Sequence, residues 1–514
     1  MNVDKLIFWA LIVLTLCRFV LTGHSDLSPQ ESLWWMQSQR LTWSYLDNGP
    51  LMPALIGIST HFIQDLTHGL RFWNPLLILL STYWLYLIAR SACNQTTARW
   101  TVVVFNMLPM VNFAAIRQLD VAAGLCFGLL TLWLFWCSLH RAKPGHWIWW
   151  LAGWSLALCG LLQLTLSLYI ITPLLIITVI PRWRRQWRRR GILILCGVGL
   201  SLALVCVIRY GGWKFLVLVA QHHWMHLGFH PLEALRSFAK ALLVTGPLLI
   251  AGAWWMQRQW RLGWSEHGLQ FLTVATLGPI LTAATLSFAF AEPVLLWWFG
   301  LTPGLIVVIH TWMQSDVSIE TRSIWRQRLL AATTVITLIG IQPELIRAIG
   351  IPWPYAWDAT QDQYGWRKSG LILHSALQQW EEERQSKGLQ GQPQFVIADS
   401  PATAAALDAH LPRNAPVIQP HPDYPRVHVI ESAGLAHQYH LWPNYSHAFN
   451  QSRRPFKGQH ALYVTNSTDG LLPPEIRHAF QSTEVASVIA IQRQHQPLMR
   501  WTFYHCREYI GLPL

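Results

Sequence analysis

Charged residues are scarce in this chain, and their scarcity excludes an ordinary soluble protein. They make up 12% of the 514 residues, whereas 52% of the residues are hydrophobic. Apolar runs recur along roughly the first 350 residues and approach the ~20 residues that span the hydrocarbon core of a bilayer. The composition therefore predicts a polytopic membrane protein.

Cysteine is almost missing from the polar tail that follows residue 352, where Cys506 stands alone. No disulfide can therefore form within the tail. No Cys/His spacing in the chain resembles a zinc site, so the 22 histidines are interpreted as scattered surface and interfacial residues. The tail also lacks a phosphate-binding glycine motif, a catalytic triad signature and an internal repeat. Neither a metal nor a cofactor is predicted.

The apolar segments predict about eleven transmembrane helices. The run from 147 to 180 would be about 50 Å long as one helix, which exceeds a core of about 30 Å, so it is divided into two spans. The predicted spans are residues 6–21, 72–88, 100–116, 121–139, 147–164, 165–180, 192–208, 238–255, 271–290, 294–312 and 329–346.

The positions of arginine and lysine set the orientation of these spans. Arg141 and Lys143 precede the run from 147 to 180, and an arginine cluster from 182 to 190 follows it. Both ends of the run are cytoplasmic by the positive-inside rule. An odd number of spans then places the first loop, residues 23–71, and everything after residue 352 outside. The net charge of +13 lies mostly in these short loops, and no basic and aromatic platform accompanies it, so nucleic-acid binding is excluded.

The first external loop carries an unusual concentration of polar residues. Carboxylates between two apolar segments need a functional reason. A short apolar stretch at 51–63 follows and begins at a proline. It is interpreted either as a helix lying at the membrane interface or as ordinary buried loop. The polar residues of the loop are Asp26, Gln30, Glu31, Arg40 and Asp47, and they alternate with Trp34, Trp35, Trp43 and Tyr45.

The polar tail alternates helical and strand patterns. Helices are predicted over 366–385 and 403–411, because apolar residues recur there with helical spacing. Short β-branched and aromatic runs predict strands. The tail is thus expected to be one small α/β or α+β domain of about 160 residues, a normal size for a single domain. The predicted strands are residues 395–398, 427–430, 461–465, 484–492 and 500–506.

Several short motifs make the chain resemble a known superfamily. In the first loop they are Gln30-Glu31, Trp43-Ser44-Tyr45, Asp47-Asn48 and Pro50-Leu51, and further elements are Arg117-Gln118-Leu119-Asp120, residues 213–223, Gly365-Trp366-Arg367 and Gln438-Tyr439-His440-Leu441-Trp442. The order of these motifs resembles that in GT-C-fold membrane glycosyltransferases. The superfamily is that of protein O-mannosyltransferases and lipid A aminoarabinose transferases. The resemblance implies a GT-C membrane domain over 1–351, with the first loop at 23–71, and a soluble periplasmic α/β domain over 352–514.

The chemistry implied by the resemblance is transfer of a sugar from a polyprenyl-phosphate donor, with inversion at the anomeric carbon. The acceptor is a lipid, a glycan or a protein, and the expected location is the bacterial inner membrane, with the N-terminus cytoplasmic. Such a reaction needs a carboxylate that takes the acceptor's proton, and groups that stabilise the departing phosphate. Glu31 and Asp47 are the predicted catalytic residues. The predicted substrate-binding residues are Asp26, Gln30, Tyr45, Asn48, Arg71, Arg117, Asp120 and His223.

Gln30 is the main departure from the superfamily pattern, because the presumed base at this position is an aspartate. An amide cannot accept a proton at physiological pH. Three alternatives follow: Glu31 or Asp26 acts as the base, Asp47 acts from the other side of the loop, or the chain is a catalytically degenerate relative that binds lipid or partners. A transporter is disfavoured, because the ionisable residues collect at the external surface instead of within the spans.

External cations are the second set of candidates, since they oppose the positive-inside rule. An anionic lipid head group would explain them, although each is equally consistent with a snorkelling interfacial side chain. Asp120 either binds the sugar, holds Arg117, or simply caps its helix. The external cations are Arg40, Arg71, Arg117, Arg209, Lys214 and Arg236.

Overall fold

A computed structural model of the chain describes most of the predicted membrane helices and most of the tail. The described residues are 3–42, 45, 48–140, 146–163, 166, 172, 176, 228–229, 231–232, 235, 266–289, 296–314, 318–341, 347, 350, 358, 360–386, 394–430, 437–445, 456–467, 469–493 and 496–511. The predicted spans at 192–208 and 238–255, and nearly all of 165–180, lie outside these residues.

Twelve α-helices occupy the described part of the first 341 residues. Three of the described helices are long and apolar enough to cross a membrane, or four if one bent pair is a single span. The total of about eleven spans therefore stays a prediction. The helices are α1 (Val3–Leu21), α2 (Pro29–Ser38), α3 (Leu51–Phe62), α4 (Leu66–Arg71), α5 (Trp73–Ala92), α6 (Gln95–Met107), α7 (Pro109–Arg117), α8 (Leu119–His140), α9 (His146–Leu162), α10 (His267–Ala289), α11 (Leu296–Met313) and α12 (Ile319–Ile341).

The helix of the predicted span at 100–116 is broken at Leu108 in the structure. The backbone of Leu108 is extended, with φ −63° and ψ 135°, and the axes of α6 and α7 differ by 61°. Pro109 follows and has no N–H to continue the helical hydrogen bonds of α6, while its ring disfavours a helical conformation at the preceding residue. A proline inside an apolar run therefore bends the segment that hydropathy alone reads as straight.

The chain divides into two compact units. The first comprises residues 1–23 and 42–353, and the second comprises residues 24–41 and 354–514. In this division the tail begins at residue 354. Residues 24–41, however, were grouped with the membrane domain by sequence, and in the structure they pack with the tail.

The second unit is an α/β domain, as the residue patterns predict. Its strands form one mixed sheet in the order β2-β1-β3-β5-β4, in which β1 is parallel to β2 and β3, and β5 is antiparallel to β3 and β4. Its elements after α2 are α13 (Trp366–Ser386), β1 (Gln394–Ala398), α14 (Pro401–His410), β2 (Val427–Val429), a 3₁₀ turn (Gln438–Leu441), β3 (His460–Thr465), α15 (Pro474–Ala479), β4 (Phe480–Arg493) and β5 (Gln496–Tyr509).

Helix α2 contributes to the core on one face of this sheet. Leu33 and Met36 of α2 are buried in the same cluster as Leu373 and Leu377 of α13 and Leu407 of α14. The loop helix is thus a structural element of the second unit, although more than 300 residues separate it in sequence from the rest of that unit.

The other face of the sheet holds a buried histidine. The ring of His428, in β2, lies among Phe395, Tyr445 and Phe456, with ring centroids 5.3 to 6.0 Å away. Among the residues that the structure describes, neither ring nitrogen has a hydrogen-bond partner. Burial lowers the pKa of His428 to about 3, and the nearby Arg40 contributes in the same direction. The ring is therefore neutral at physiological pH.

Candidate active site

The predicted site residues of the first loop are divided between the two units. Asp26, Gln30 and Glu31 belong to the second unit, whereas Tyr45 and Asn48 belong to the first. Asp47 and His223 lie outside the described residues, as do residues 213–222 and the cations Arg209, Lys214 and Arg236.

Glu31 forms the start of α2. Ser28 is the N-cap: its hydroxyl accepts a hydrogen bond from Glu31 N at 3.2 Å, and the Glu31 carboxylate accepts one from Ser28 N at 2.9 Å. This reciprocal pair is a capping box, which satisfies two backbone donors at the helix start. Glu31 is only 2% exposed. Gln30, its neighbour, is exposed. The predicted base thus has a structural role, and its catalytic role stays a prediction.

Two motifs of the tail are explained by their contacts with residues 24–41. The Asp26 carboxylate accepts a hydrogen bond from Arg367 N at 3.2 Å, at the first turn of α13. The guanidinium of Arg40 lies over the ring of Trp442, with its central carbon 5.1 Å from the ring centroid, and Arg40 Nε donates to Asp423 O at 2.8 Å. Both ends of the segment are therefore anchored to the tail by polar contacts.

In the first unit, α1 and α6 run side by side in the same direction. At their starts, Arg99 of α6 donates to Asp4 of α1 at 2.7 Å. At their ends, Arg18 of α1 donates to Asn106 of α6 at 3.0 Å. Arg18 also bonds to Asn112 of α7, so this nine-residue helix begins next to the end of α1, and Arg117 is its last residue. This end of the first unit is called the arginine end below.

Arg71 and Arg117 are both buried at the arginine end. Arg71 is 0% exposed and donates through Nη1 to Thr22 O, just past α1, at 2.8 Å. Arg117 is 4% exposed, ends α7, and has its guanidinium 5.8 Å from the ring centroid of Phe113. Asp120 lies in the first turn of α8, two residues after α7 ends. Three of the predicted binding residues thus lie in segments of one unit that adjoin the end of α1 or follow directly from α7.

Tyr45 and Asn48 lie in the stretch that enters α3. The buried Tyr45 hydroxyl accepts a hydrogen bond from Thr42 N at 3.0 Å. Gly49 N donates to Leu162 O, at the end of α9, at 3.0 Å. A Cβ added at Gly49 would lie 1.8 Å from Leu161 O, so no side chain fits there. This close approach explains the glycine in the Asp47-Asn48-Gly49-Pro50 motif, and it ties the stretch to the first unit.

Arg18 is a residue that the sequence reasoning missed. It is 2% exposed and bonds to Asn106 and Asn112 on the two sides of the break between α6 and α7. An arginine in the last turn of the first apolar segment was the available signal. In the part of the chain that the structure describes, no three His, Cys, Asp or Glu side chains are placed to hold a metal ion.

The fold is similar to that of solved membrane-protein structures over nearly the whole chain. The crystal structure of ArnT from Cupriavidus metallidurans bound to undecaprenyl phosphate matches with a TM-score of 0.58 at 13% identity, over 99% of both chains. ArnT in the apo state matches with a TM-score of 0.59 at 12% identity, over 97% of both chains. The Archaeoglobus fulgidus oligosaccharyltransferase AglB, in complex with an inhibitory peptide and a dolichol-phosphate, matches with a TM-score of 0.50 at 11% identity, over 100% of this chain and 76% of that one.

A family model adds an independent match from the sequence. Residues 47–210 match the model of the dolichyl-phosphate-mannose-protein mannosyltransferases. None of the curated proteins matches the chain by sequence. The matched stretch includes Arg71, Arg117 and Asp120. The chain therefore has the fold of ArnT, and residues 47–210 are similar to the protein mannosyltransferases, as the resemblance of its motifs to GT-C-fold glycosyltransferases predicts.

Proposed function

We propose that the chain is an integral-membrane glycosyltransferase. It moves a sugar from a polyprenyl-phosphate-linked donor to a lipid, glycan or protein acceptor at the periplasmic face of a bacterial inner membrane. The observation that carries the proposal is the burial of Arg71 and Arg117 at the arginine end, in a fold shared with ArnT bound to undecaprenyl phosphate.

Buried arginines suit this donor for a physical reason. A guanidinium inside a membrane domain is costly and usually marks a functional site. Its planar set of N–H donors matches the oxygens of a phosphate and binds them in pairs. The donor's phosphate gains negative charge as the bond to the sugar breaks. Arg71 and Arg117 are therefore proposed to bind the phosphate and to stabilise the leaving group.

The transfer step needs one base and proceeds by a single displacement. A carboxylate takes the proton of the acceptor hydroxyl, and the acceptor oxygen attacks the anomeric carbon. The bond between that carbon and the phosphate oxygen breaks, polyprenyl phosphate leaves, and the anomeric configuration inverts. Asp47 is proposed as the base, because the other predicted carboxylate, Glu31, already serves the capping box of α2. Asp120, at the start of α8, is proposed to bind the sugar.

A catalytically degenerate, lipid-binding relative is the second candidate. Gln30 favours it, because an amide stands where the superfamily has an aspartate. The capping role of Glu31 favours it as well, since that carboxylate is engaged by Ser28 N. Such a protein would bind polyprenyl phosphate at the arginine end without transferring a sugar.

Sugar transfer in reconstituted membranes separates the two candidates. Radiolabelled polyprenyl-phosphate sugars are supplied to wild type and to Asp47→Asn, Glu31→Gln and Gln30→Asp. Glutamine also supports a capping box. Glu31→Gln therefore keeps α2 intact and removes only the basicity of the side chain. Gln39→Ala, at an exposed position just after α2, is the matched control.

We expect transfer by wild type, a loss of at least 100-fold in Asp47→Asn, and little change in Glu31→Gln, since a general base contributes about 10²–10⁴-fold. A loss in Glu31→Gln with Asp47→Asn active would assign the base to Glu31. Binding of the donor without transfer, with activity gained in Gln30→Asp, would establish the degenerate candidate. Failure of every variant to bind polyprenyl phosphate would refute both.

A further inference from the structure

The break between α6 and α7 is held by an arginine of a third helix. Arg18 of α1 donates from Nη1 to Asn106 Oδ1 at 3.0 Å and from Nη2 to Asn106 O at 3.3 Å. It also donates from Nε and Nη2 to Asn112 Oδ1, at 3.2 and 2.8 Å. Asn106 precedes the break and Asn112 follows it. One guanidinium therefore bridges the two helices.

A helix break inside a membrane domain leaves carbonyl groups that water cannot satisfy. Three carbonyls before Pro109 have partners from within the protein. Phe105 O accepts from Leu108 N at 3.2 Å, and Asn106 O accepts from both Arg18 and Asn112 Nδ2. Met107 O accepts from Thr337 of α12, at 2.7 Å. These three carbonyls at the break therefore all have partners, and Arg18 supplies the charged donor among them.

The side-chain chemistry of Arg18 favours a structural clamp over a phosphate ligand. A guanidinium has five N–H donors. Four hydrogen bonds to Asn106 and Asn112 use most of them. Both partners are neutral amides, and both are buried. A planar guanidinium that is hydrogen-bonded through several of its nitrogens fixes the angle between α6 and α7, whereas a single flexible contact would not.

The orientation of α7 decides where Arg117 lies, because Arg117 is the last residue of that helix, five residues beyond Asn112. We propose that Arg18 is a positioning residue for donor binding: by clamping the joint between α6 and α7, it places Arg117 for the phosphate of the lipid-linked sugar. The inference rests on the proposed function, since it assigns Arg117 to that phosphate. Arg18 itself does not contact the donor.

Affinity for undecaprenyl phosphate, measured with the full chain in lipid nanodiscs, tests this proposal. Arg18→Met keeps an unbranched apolar side chain and removes all four hydrogen bonds, whereas Arg18→Lys keeps the positive charge but not the planar guanidinium. Thr131→Val is the matched control. It removes a buried hydrogen bond of 2.9 Å from Thr131 of α8 to Ser155 of α9, and neither of these helices forms the joint. Each variant is measured at least ten degrees below its own unfolding midpoint.

We expect Arg18→Met to weaken affinity at least tenfold, Arg18→Lys to weaken it by an intermediate factor, and Thr131→Val to change it less than twofold. The decisive measurement is a double-mutant cycle with Arg117→Met. If Arg18 acts through Arg117, Arg18→Met changes affinity less than threefold in the Arg117→Met background.

Two results would overturn the proposal while the proposed function stands. One is wild-type affinity in a folded Arg18→Met variant, even if its unfolding midpoint falls, because Arg18 would then only stabilise the bundle. The other is a full tenfold loss that persists in the Arg117→Met background, because Arg18 would then act independently of Arg117. Absence of undecaprenyl phosphate binding by wild type would instead refute the proposed function, and this inference with it.

Discussion

Helix α2 is expected to be required for folding of the second unit, and this can be tested by removing it. Residues 354–514 contain the whole sheet, yet Leu33 and Met36 of α2 are buried in the core on one of its faces. Without α2, that face loses part of its cover and exposes apolar side chains of α13 and α14. We expect the isolated tail to fold poorly.

The magnitude follows from the burial of these two side chains. Replacing a buried leucine or methionine by alanine costs about 2–5 kcal/mol. The double substitution Leu33→Ala, Met36→Ala should therefore cost about 4–10 kcal/mol, which is most of the 5–15 kcal/mol that typically stabilises a domain. A shift of roughly 2–4 °C per kcal/mol applies to domains of 150 to 250 residues, so the unfolding midpoint should fall by at least about 8 °C.

Circular dichroism during heating provides the assay. One protein contains residues 354–514 alone, and a second joins residues 24–41 to them through a long Gly/Ser linker. The joined protein should unfold cooperatively and the tail alone should not. In the joined protein, Leu33→Ala, Met36→Ala should lower the midpoint, whereas the exposed control Gln39→Ala should leave it within about 2 °C, because surface substitutions rarely exceed ±0.5 kcal/mol.

A cooperative transition of the tail alone, at the midpoint of the joined protein, would refute the reasoning. It would mean that α2 rests on a core that is already complete. Unchanged stability in Leu33→Ala, Met36→Ala would refute it equally, since the two side chains would then contribute no packing energy.

Three further predictions concern single residues. Burial lowers the pKa of His428 to about 3, against 6.5 in the unfolded chain, so the neutral ring stabilises the fold fully above pH 6.5. Below pH 6.5 the unfolded chain binds a proton that the folded chain does not, and the free energy of unfolding falls by up to about 1.4 kcal/mol per pH unit. In His428→Phe, the unfolding midpoint should therefore fall less between pH 6.5 and pH 5 than in wild type. Gly49→Ala would place a Cβ 1.8 Å from Leu161 O, so the purified chain should melt at lower temperature and lose sugar transfer, while unchanged melting would contradict the tight contact. Arg426→Met leaves the buried carboxylate of Asp408 without its ion-pair partner. The free energy of unfolding of the second unit, measured with denaturant, should fall by about 3–5 kcal/mol. A decrease below about 1 kcal/mol would show that the Asp408 carboxylate is solvated.

Local patterns were sufficient to predict the tail. The alternation of helix and strand segments placed α13, α14 and every strand to within a few residues, because each is a periodic segment bounded by breakers. Strands β4 and β5 are longer than predicted, at 14 residues each, because their extra residues pair with each other rather than follow a hydropathy pattern. Pairing between strands is not visible in either strand alone.

Local sequence patterns do not predict which segments distant in sequence pack against each other. The sequence of α2 indicates a capped, partly apolar helix, but nothing in it says that Leu33 and Met36 pack against α13 and α14 instead of the neighbouring spans. The same holds for Arg18, whose partners lie about 90 residues away on both sides of Pro109. Arg71, Arg117 and Asp120 all belong to the first unit, and their role in binding stays a prediction.

The membership of residues 24–41 in the second unit has a consequence for biosynthesis. Helix α2 leaves the ribosome about 310 residues before the tail begins, so at roughly 5–20 residues per second it waits about 15–60 s for the core it completes. During that interval Leu33, Trp35 and Met36 have no tail to bury them. The nascent chain therefore presents a short apolar helix to chaperones or to the membrane surface, and the second unit is complete only when the later-made tail packs against this earlier-made segment.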